Sequence, residues 1–383
     1  MSKNIKIKPE ATKLHGKIER IANSLFRNYD KVMGKLGLGG RKGDYDDYNY
    51  EFIGGAKDNL RKKHYDKSLR LLWKAEEHAP WSSFKDCTKG EQELINLTKG
   101  SLSNEEEQEL ERITSDEFRQ FLKDTYTDEQ RKATVAILTL IGHGEAYAWM
   151  ISTELLNEVK STGGRAALTA QVLEEAKHFV VLRELIKAFD VEIPRLSAWE
   201  YLLLERGFKA KGLEKFFAMN ILVEGFALSL FGMMGHMPGL KILRLFHLDE
   251  SRHTALPASY FQEFPMTYWQ KNNPIKKWRR FMLIIPALPI LVQIEPYLAT
   301  LGIDTFDFGG SMSRKILNLS YKVGFNMPIT KNNFTKLLNK IFNTYCKYAR
   351  RDHKNKDFLH SETTVGINEL KVENDVFKLK GVT

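Results

Sequence analysis

The sequence predicts an all-α protein built on four long helices, with helical extensions at both ends. Three observations lead there. Prolines number only 11 in 383 residues, so long stretches escape the residue that breaks helices. Four of these stretches carry apolar residues three and four positions apart, the repeat of a helix with one buried face. Each of the four stripes is interrupted by a glutamate on the face that should be buried.

Taken in order, residues 10–37 and 56–78 read as helices separated by the loop GLGGRKGDYDDYNYEFIGG, whose glycines and acidic residues mark turns. Pro80 ends the second. Short polar helices fill 90–125, with Ser103 or Asn104 as an N-cap before an acidic first turn. Thr127 caps the first long helix, 127–160, and Asp128 and Glu129 suit the positive end of its dipole. The second long helix follows Gly163 and Gly164 and covers 165–189. Ser197 and Glu200 have capping-box spacing and open a shorter helix. The third and fourth long helices cover 212–235 and 239–264, parted by Pro238 and Gly239 and ended by Pro265. A Lys-rich helical region continues to about residue 356, and residues 370–380 alternate as a short strand would. The organisation is therefore an N-terminal extension (1–126), a four-helix unit (127–265) and a basic C-terminal extension (266–383).

Composition excludes several function classes. The two cysteines, Cys87 and Cys346, form no C-x-x-C pair, which excludes thiolate zinc and rubredoxin-type iron sites. Two free thiols and an N-terminus without an apolar core suggest a cytoplasmic protein. No run of about 18 apolar residues occurs. The nearest, FMLIIPALPILVQI at 281–294, is shorter and holds two prolines. It follows the basic run KKWRR, a sequence suited either to an anchor on anionic lipid or to a buried helix pair broken at Pro286 and Pro289. The net charge of +10 lies in the C-terminal third: residues 266–383 hold 19 Lys/Arg against 9 Asp/Glu, and residues 1–265 balance. Such a region suits an anionic partner, or simply decorates a solvated surface.

The chemistry lies in the interrupted stripes. They read Leu138, Ile141, Glu145, Ala148, Ser152; Leu168, Gln171, Glu175, His178, Leu182; Phe217, Ile221, Glu224, Leu228; and Phe246, Glu250, His253, Leu256. A buried carboxylate without a partner is costly. Four of them need a common compensation, and metal cations supply it. His178 follows Glu175 by three residues, as His253 follows Glu250. In a helix this spacing puts both side chains on one face, about 4.5 Å apart along the axis. Glu145 precedes the first such pair by 30 residues and Glu224 the second by 26. The pattern is thus one helix with Glu followed by one with E-x-x-H, stated twice.

This pattern resembles the ferritin-like di-iron carboxylate superfamily, in which two helices each supply a Glu and two others each supply E-x-x-H. The resemblance covers about residues 127–265. It implies a ferritin-like four-helix bundle with two iron ions, or iron with manganese, held by Glu145, Glu175, His178, Glu224, Glu250 and His253. The flanking residues in LEEAKHF and LDESRHT resemble the family's extended signatures. They imply that Glu174 and Asp249 accept the ring N–H of a ligating histidine on the facing helix, with Lys177 and Arg252 in the same network. His247, three residues before Glu250, is a candidate further ligand; arylamine N-oxygenases of the family have one four residues before. His143 and Tyr147 flank Glu145 and are expected to point elsewhere.

Nitrogen and oxygen donors suit iron or manganese and O₂ chemistry. The chain has about 240 residues beyond a ferritin unit. It lacks the C-x-x-C of rubrerythrin. It has Ser152 where the ribonucleotide reductase small subunit usually carries its radical tyrosine. Acyl-carrier desaturases and arylamine N-oxygenases share the extended signatures. The resemblance therefore implies an O₂-dependent oxidoreductase (oxygenase, desaturase or oxidase) acting on an organic substrate, free or on an acidic carrier protein, with an external electron donor. The alternative is a non-catalytic, iron-handling ferritin-like protein. The basic third is expected to meet an anionic surface; no nucleic-acid motif accompanies it, and a homodimer is a candidate assembly.

Overall fold

The computed structural model describes residues 5–36, 113, 115–159 and 162–359. Among them no strand forms, and Ile7 and Arg350 make an isolated antiparallel bridge. Helix α1 spans Pro9–Lys35, α2 Asp116–Thr125, α3 Asp128–Leu155, α4 Thr162–Ala188 and α5 Ala198–Phe208. Helix α6 covers Glu214–Met234 and α7 Leu243–Glu263. Helices α8 (Tyr268–Asn272), α9 (Pro274–Ile284), α10 (Ala287–Thr300), α11 (Thr305–Val323) and α12 (Lys331–Ala349) follow. The helix expected at 56–78, the caps at Ser103 and Asn104, and the alternation at 370–380 lie outside the described residues.

Helix α4 runs back along α3, and α7 along α6. Each pair is joined by a short connection, as antiparallel neighbours require. The α3 start is the expected one: the Thr127 hydroxyl accepts from Gln130 N–H, and the Gln130 side chain accepts from Thr127 N–H. Ser197 and Glu200 form the same box at α5.

Three boundaries of the long helices and the interior of a fourth differ from the sequence expectation. Helix α3 ends at Leu155 rather than near 160, because Asn157 and Glu158 donate three residues back and tighten the chain. Helix α4 takes Gly163 and Gly164 into its first turn, where backbone N–H groups have no intrahelical partner in any sequence. Helix α7 begins at Leu243 rather than 239. Gly239 has φ +74°, outside the right-handed helical region, and a Cβ there would lie 2.8 Å from Leu122 Cδ2. Helix α6 contains a π-helical turn over Phe217–Val223, a bulge that no periodicity announces.

The C-terminal helices pack directly on these four: α10 on α3, and α11 on α6 and α7. Gly310 on α11 lets the chain after α12 approach closely, since a Cβ there would sit 2.0 Å from the Phe358 carbonyl oxygen. Pro286 ends the turn between α9 and α10, as expected. Pro289 does not break the chain: it sits in the first turn of α10, where proline is tolerated. Among the described residues, two helical stretches are long and apolar enough to cross a membrane by length and composition, where none was expected. They are Glu214–Met234, 94% buried over its most apolar window, and Pro274–Thr300, 50% buried. The first is a core helix of the fold.

Arg280 does not join the surface charge of KKWRR. It is fully buried. Its guanidinium donates to both carboxylate oxygens of Glu214, at 2.7 Å each. It also donates to the carbonyls of Gln270, Lys271 and Asn326 and lies over the Phe325 ring. One side chain thereby ties α6, α8, α9 and the chain after α11.

Candidate metal centre

The four glutamate-bearing stripes meet at the middle of the α3–α4–α6–α7 core. Glu145 comes from α3, Glu175 and His178 from α4, Glu224 from α6, and Glu250 and His253 from α7. All six are at most 3% exposed. They form two overlapping groups able to hold a metal ion: Glu145, Glu175, His178 and Glu250 in one, and Glu175, Glu224, Glu250 and His253 in the other. In each group the four ligand atoms lie within 4.8 Å of one another. Glu175 and Glu250 are common to both, while Glu145 and Glu224 each belong to one.

The two halves are related by a local repeat. His178 Nδ1 lies 3.2 Å from Glu145 Oε2 and 3.1 Å from Glu250 Oε1. His253 Nδ1 lies 3.0 Å from Glu175 Oε1 and 3.2 Å from Glu250 Oε2. Each histidine turns its other nitrogen outward to a carboxylate of the facing helix: His178 Nε2 to Asp249 Oδ2 at 2.9 Å, and His253 Nε2 to Glu174 Oε2 at 2.8 Å. An Nε2–H held this way leaves the Nδ1 lone pair directed at the centre. Arg252 bridges Glu174 and Asp249, and Lys177 donates to Asp249 at 2.7 Å. The outer carboxylates are therefore neutralised, and the inner four are not.

The donor set fits a pair of cations on two observations. Glu175 Oε2, an oxygen of one shared carboxylate, is buried and accepts no hydrogen bond. In addition, two divalent ions carry four positive charges against the four inner glutamates. Without them the site must take up protons. Burial first, and then the neighbouring carboxylates, push Glu145 and Glu224 well above the usual glutamate value. Burial would lower His178 and His253, but the surrounding carboxylates outweigh it and hold both well above 6.5. Burial would raise Asp249 too, yet His178, Lys177 and Arg252 keep it far below the usual value. Metal entry must displace the protons on Glu145, Glu224 and the two histidines, so acid competes with metal. Apparent affinity is expected to rise with pH through neutrality, with protons released on binding. Calorimetry in buffers of different ionisation enthalpy checks this; an affinity that falls as pH rises would contradict it.

Comparison of the chain with models of protein families, with curated proteins and with solved structures gave no match. The site therefore rests on its own geometry.

His247 lies outside both groups. Its Nδ1–H donates to the Leu228 carbonyl at 2.8 Å, and burial pushes it down to about 4. His143 and Tyr147 point away as expected, to Glu200 at 3.4 Å and Glu205 at 2.8 Å.

Sequence reasoning missed a polar network beside Glu224. Gln171 Nε2 donates to Ser152 Oγ at 3.0 Å and reaches Glu175 and Glu224 at 3.2 Å each. Asn220 Nδ2 donates to Gln171 Oε1 and to the His253 carbonyl, both at 2.9 Å. The second bond has a covalent cause. Pro257 sits four residues after His253 inside α7. It has no N–H, so the His253 carbonyl lacks its helical donor. Asn220, within the π turn of α6, supplies one. Polar residues at core positions of the stripes (Gln171, Ser152) and a lone Asn in the run FFAMNILV were the available signals.

The outer carboxylates give a direct prediction. Asp249→Asn leaves a group of the same size that need no longer accept a proton-bearing nitrogen. Metal affinity is expected to fall about 10- to 100-fold, with helix content unchanged by circular dichroism. Unchanged affinity by competitive chelation would show that Asp249 does not orient His178.

Proposed function

We propose that the chain is a ferritin-like di-iron protein that uses O₂ to oxidise an apolar organic substrate. The observation that carries this reading is the nesting of two buried groups around shared Glu175 and Glu250, with each histidine braced from the facing helix. Carboxylates that can bridge, one imidazole per half and no thiolate suit two irons. Glu145 and Glu224 would hold one ion each, and Glu175 and Glu250 both. When bound, two adjacent irons supply electrons to O₂ for oxidation of the substrate, and an external donor restores them.

The residues around the centre suit that chemistry. Phe246 stacks on His178 with ring centroids 4.2 Å apart, and Phe231 closes on Phe246 at 5.3 Å, which excludes water on that side. Gln171 can hold Glu224 and Glu175 in place as their binding mode changes. On the α3–α6 side, an apolar crevice of about 40 Å³ is bounded by Gly144, Leu203, Val223, Phe226 and Ile290. Gly144 and Val223 immediately precede Glu145 and Glu224 in the sequence, but none of the six donors lines the crevice itself. It admits only a slender apolar group unless it widens.

That narrowness also favours a second reading, an iron-handling protein without turnover of an organic substrate. One experiment separates the two. The protein is loaded anaerobically with Fe(II), assayed for metal by elemental analysis, and exposed to O₂ at known Fe(II):protein ratios. Two irons per chain and O₂ uptake that stops once the bound iron is oxidised are expected. Continued uptake with hundreds of irons mineralised per chain would sink the oxidase reading, and failure to retain iron would sink both.

A further inference from the structure

The surface of α8 and α9 has the wrong polarity for a face that meets only water. Tyr268, Trp269, Ile275 and Trp278 are between 56 and 76% exposed, and Ile285 is 38% exposed. On α9 and at its C-cap, positions 275, 278, 282 and 285 recur at helical spacing, with Ile275, Trp278 and Ile285 exposed and Met282 half-buried between them. The stripe reads Ile, Trp, Met, Ile. The opposite face, with Arg280, Leu283 and Ile284, is buried against the fold. An isolated exposed apolar residue needs no explanation, but a stripe carrying Trp278 beside the exposed Tyr268 and Trp269 of the neighbouring α8 does.

Charge specifies the partner. From Phe264 to Ile294 the chain holds five Lys/Arg and no acidic residue. Arg280 is used internally, and Lys276 lies 3.4 Å from Glu214. Arg279 is exposed and Lys277 half-buried, and no ion pair of either is seen among the described residues. The surface continues onto α12, which meets α9 at Phe281 and Phe334, ring centroids 5.5 Å apart. Helix α12 exposes Leu337, Ile341 and Tyr348 between Lys336, Lys340 and Lys347, and it too contains no acidic residue.

We propose that α8 and α9, continued by α12, dock the protein peripherally on an anionic lipid bilayer. Tryptophan and tyrosine favour the headgroup level, where an apolar ring and a polar tip are both satisfied. Lysine and arginine beside them meet lipid phosphates. The stretch Pro274–Thr300 lies on the bilayer and does not cross it, because its inner face is occupied by core contacts of Leu283, Ile284, Ile290, Leu291 and Ile294. This inference stands apart from the metal centre, since none of these residues touches it.

Flotation of the full chain with vesicles tests the proposal. With phosphatidylglycerol–phosphatidylcholine vesicles at low salt, the protein is expected to float, and raised salt should release it. With phosphatidylcholine alone it should stay behind. Lys277→Glu combined with Arg279→Glu should weaken partition at least about 25-fold, taking about fivefold for each basic residue lost. Trp269→Ser with Trp278→Ser should weaken it as well and abolish quenching of tryptophan emission by brominated lipid. Circular dichroism and metal content should be unchanged in both, because the substituted side chains lie outside the core. Absence of flotation with anionic vesicles at low salt would overturn the proposal. So would undiminished flotation of both variants, or capture of this surface by an acidic carrier protein while vesicles fail to bind.

Discussion

Glu250→Gln is expected to strip metal from both halves of the centre, whereas Glu224→Gln should empty chiefly one. The difference follows from sharing. Glu250 places one oxygen 3.1 Å from His178 Nδ1 and the other 3.2 Å from His253 Nδ1, and it belongs to both candidate groups. Glu224 belongs only to the group with His253. Glutamine keeps the volume but removes the charge and replaces one oxygen with a donor. That donor would face the other carboxylates and ease their repulsion, so the metal-free fold should survive. The metals should not. Affinity should fall by more than the 10- to 100-fold typical of losing an outer partner, and any activity that depends on both ions should disappear. Elemental analysis of protein purified with excess iron provides the check. Two ions retained by Glu250→Gln would contradict the shared geometry. Equal loss in Glu224→Gln and Glu250→Gln would show that the halves fill only together.

Arg280→Ala is expected to be the most damaging change outside the centre, destabilising by about 3–5 kcal/mol. It would leave Glu214 facing a void and free the carbonyls of Gln270, Lys271 and Asn326 from their donor. Arg280→Lys should rescue little, because an ammonium cannot match the two parallel bonds to Glu214. The charge pair itself need not be strongly stabilising, since desolvation opposes it. Arg280→Met with Glu214→Leu should therefore be less destabilising than the sum of Arg280→Met and Glu214→Leu. Urea denaturation of the four proteins gives the answer. Additivity within about 0.5 kcal/mol would mean that Arg280 acts through packing alone.

The sequence by itself determined the helical class, the four long helices and the burial of their interrupted stripes. These are local properties. Proline placement, the Thr127 and Ser197 caps and 3–4 spacing act within one or two turns, so a single chain segment carries the information. It also determined that Glu175 and His178, or Glu250 and His253, share a face, because helix geometry sets that without reference to any neighbour.

Only the tertiary structure decided which carboxylates are shared. Glu175 and Glu250 are common to both groups while Glu145 and Glu224 are not, and this depends on how far each helix is shifted and rotated against the others. No residue spacing encodes that. The same holds for Asn220, whose two bonds require the π turn of α6 to meet a carbonyl freed by Pro257 on α7. It holds again for KKWRR, where helical phase sends Arg280 into the fold and Arg279 to the surface. The sequence shows a basic run, but the separation of a buried clasp from a face open to lipid depends on which side of α9 the core covers.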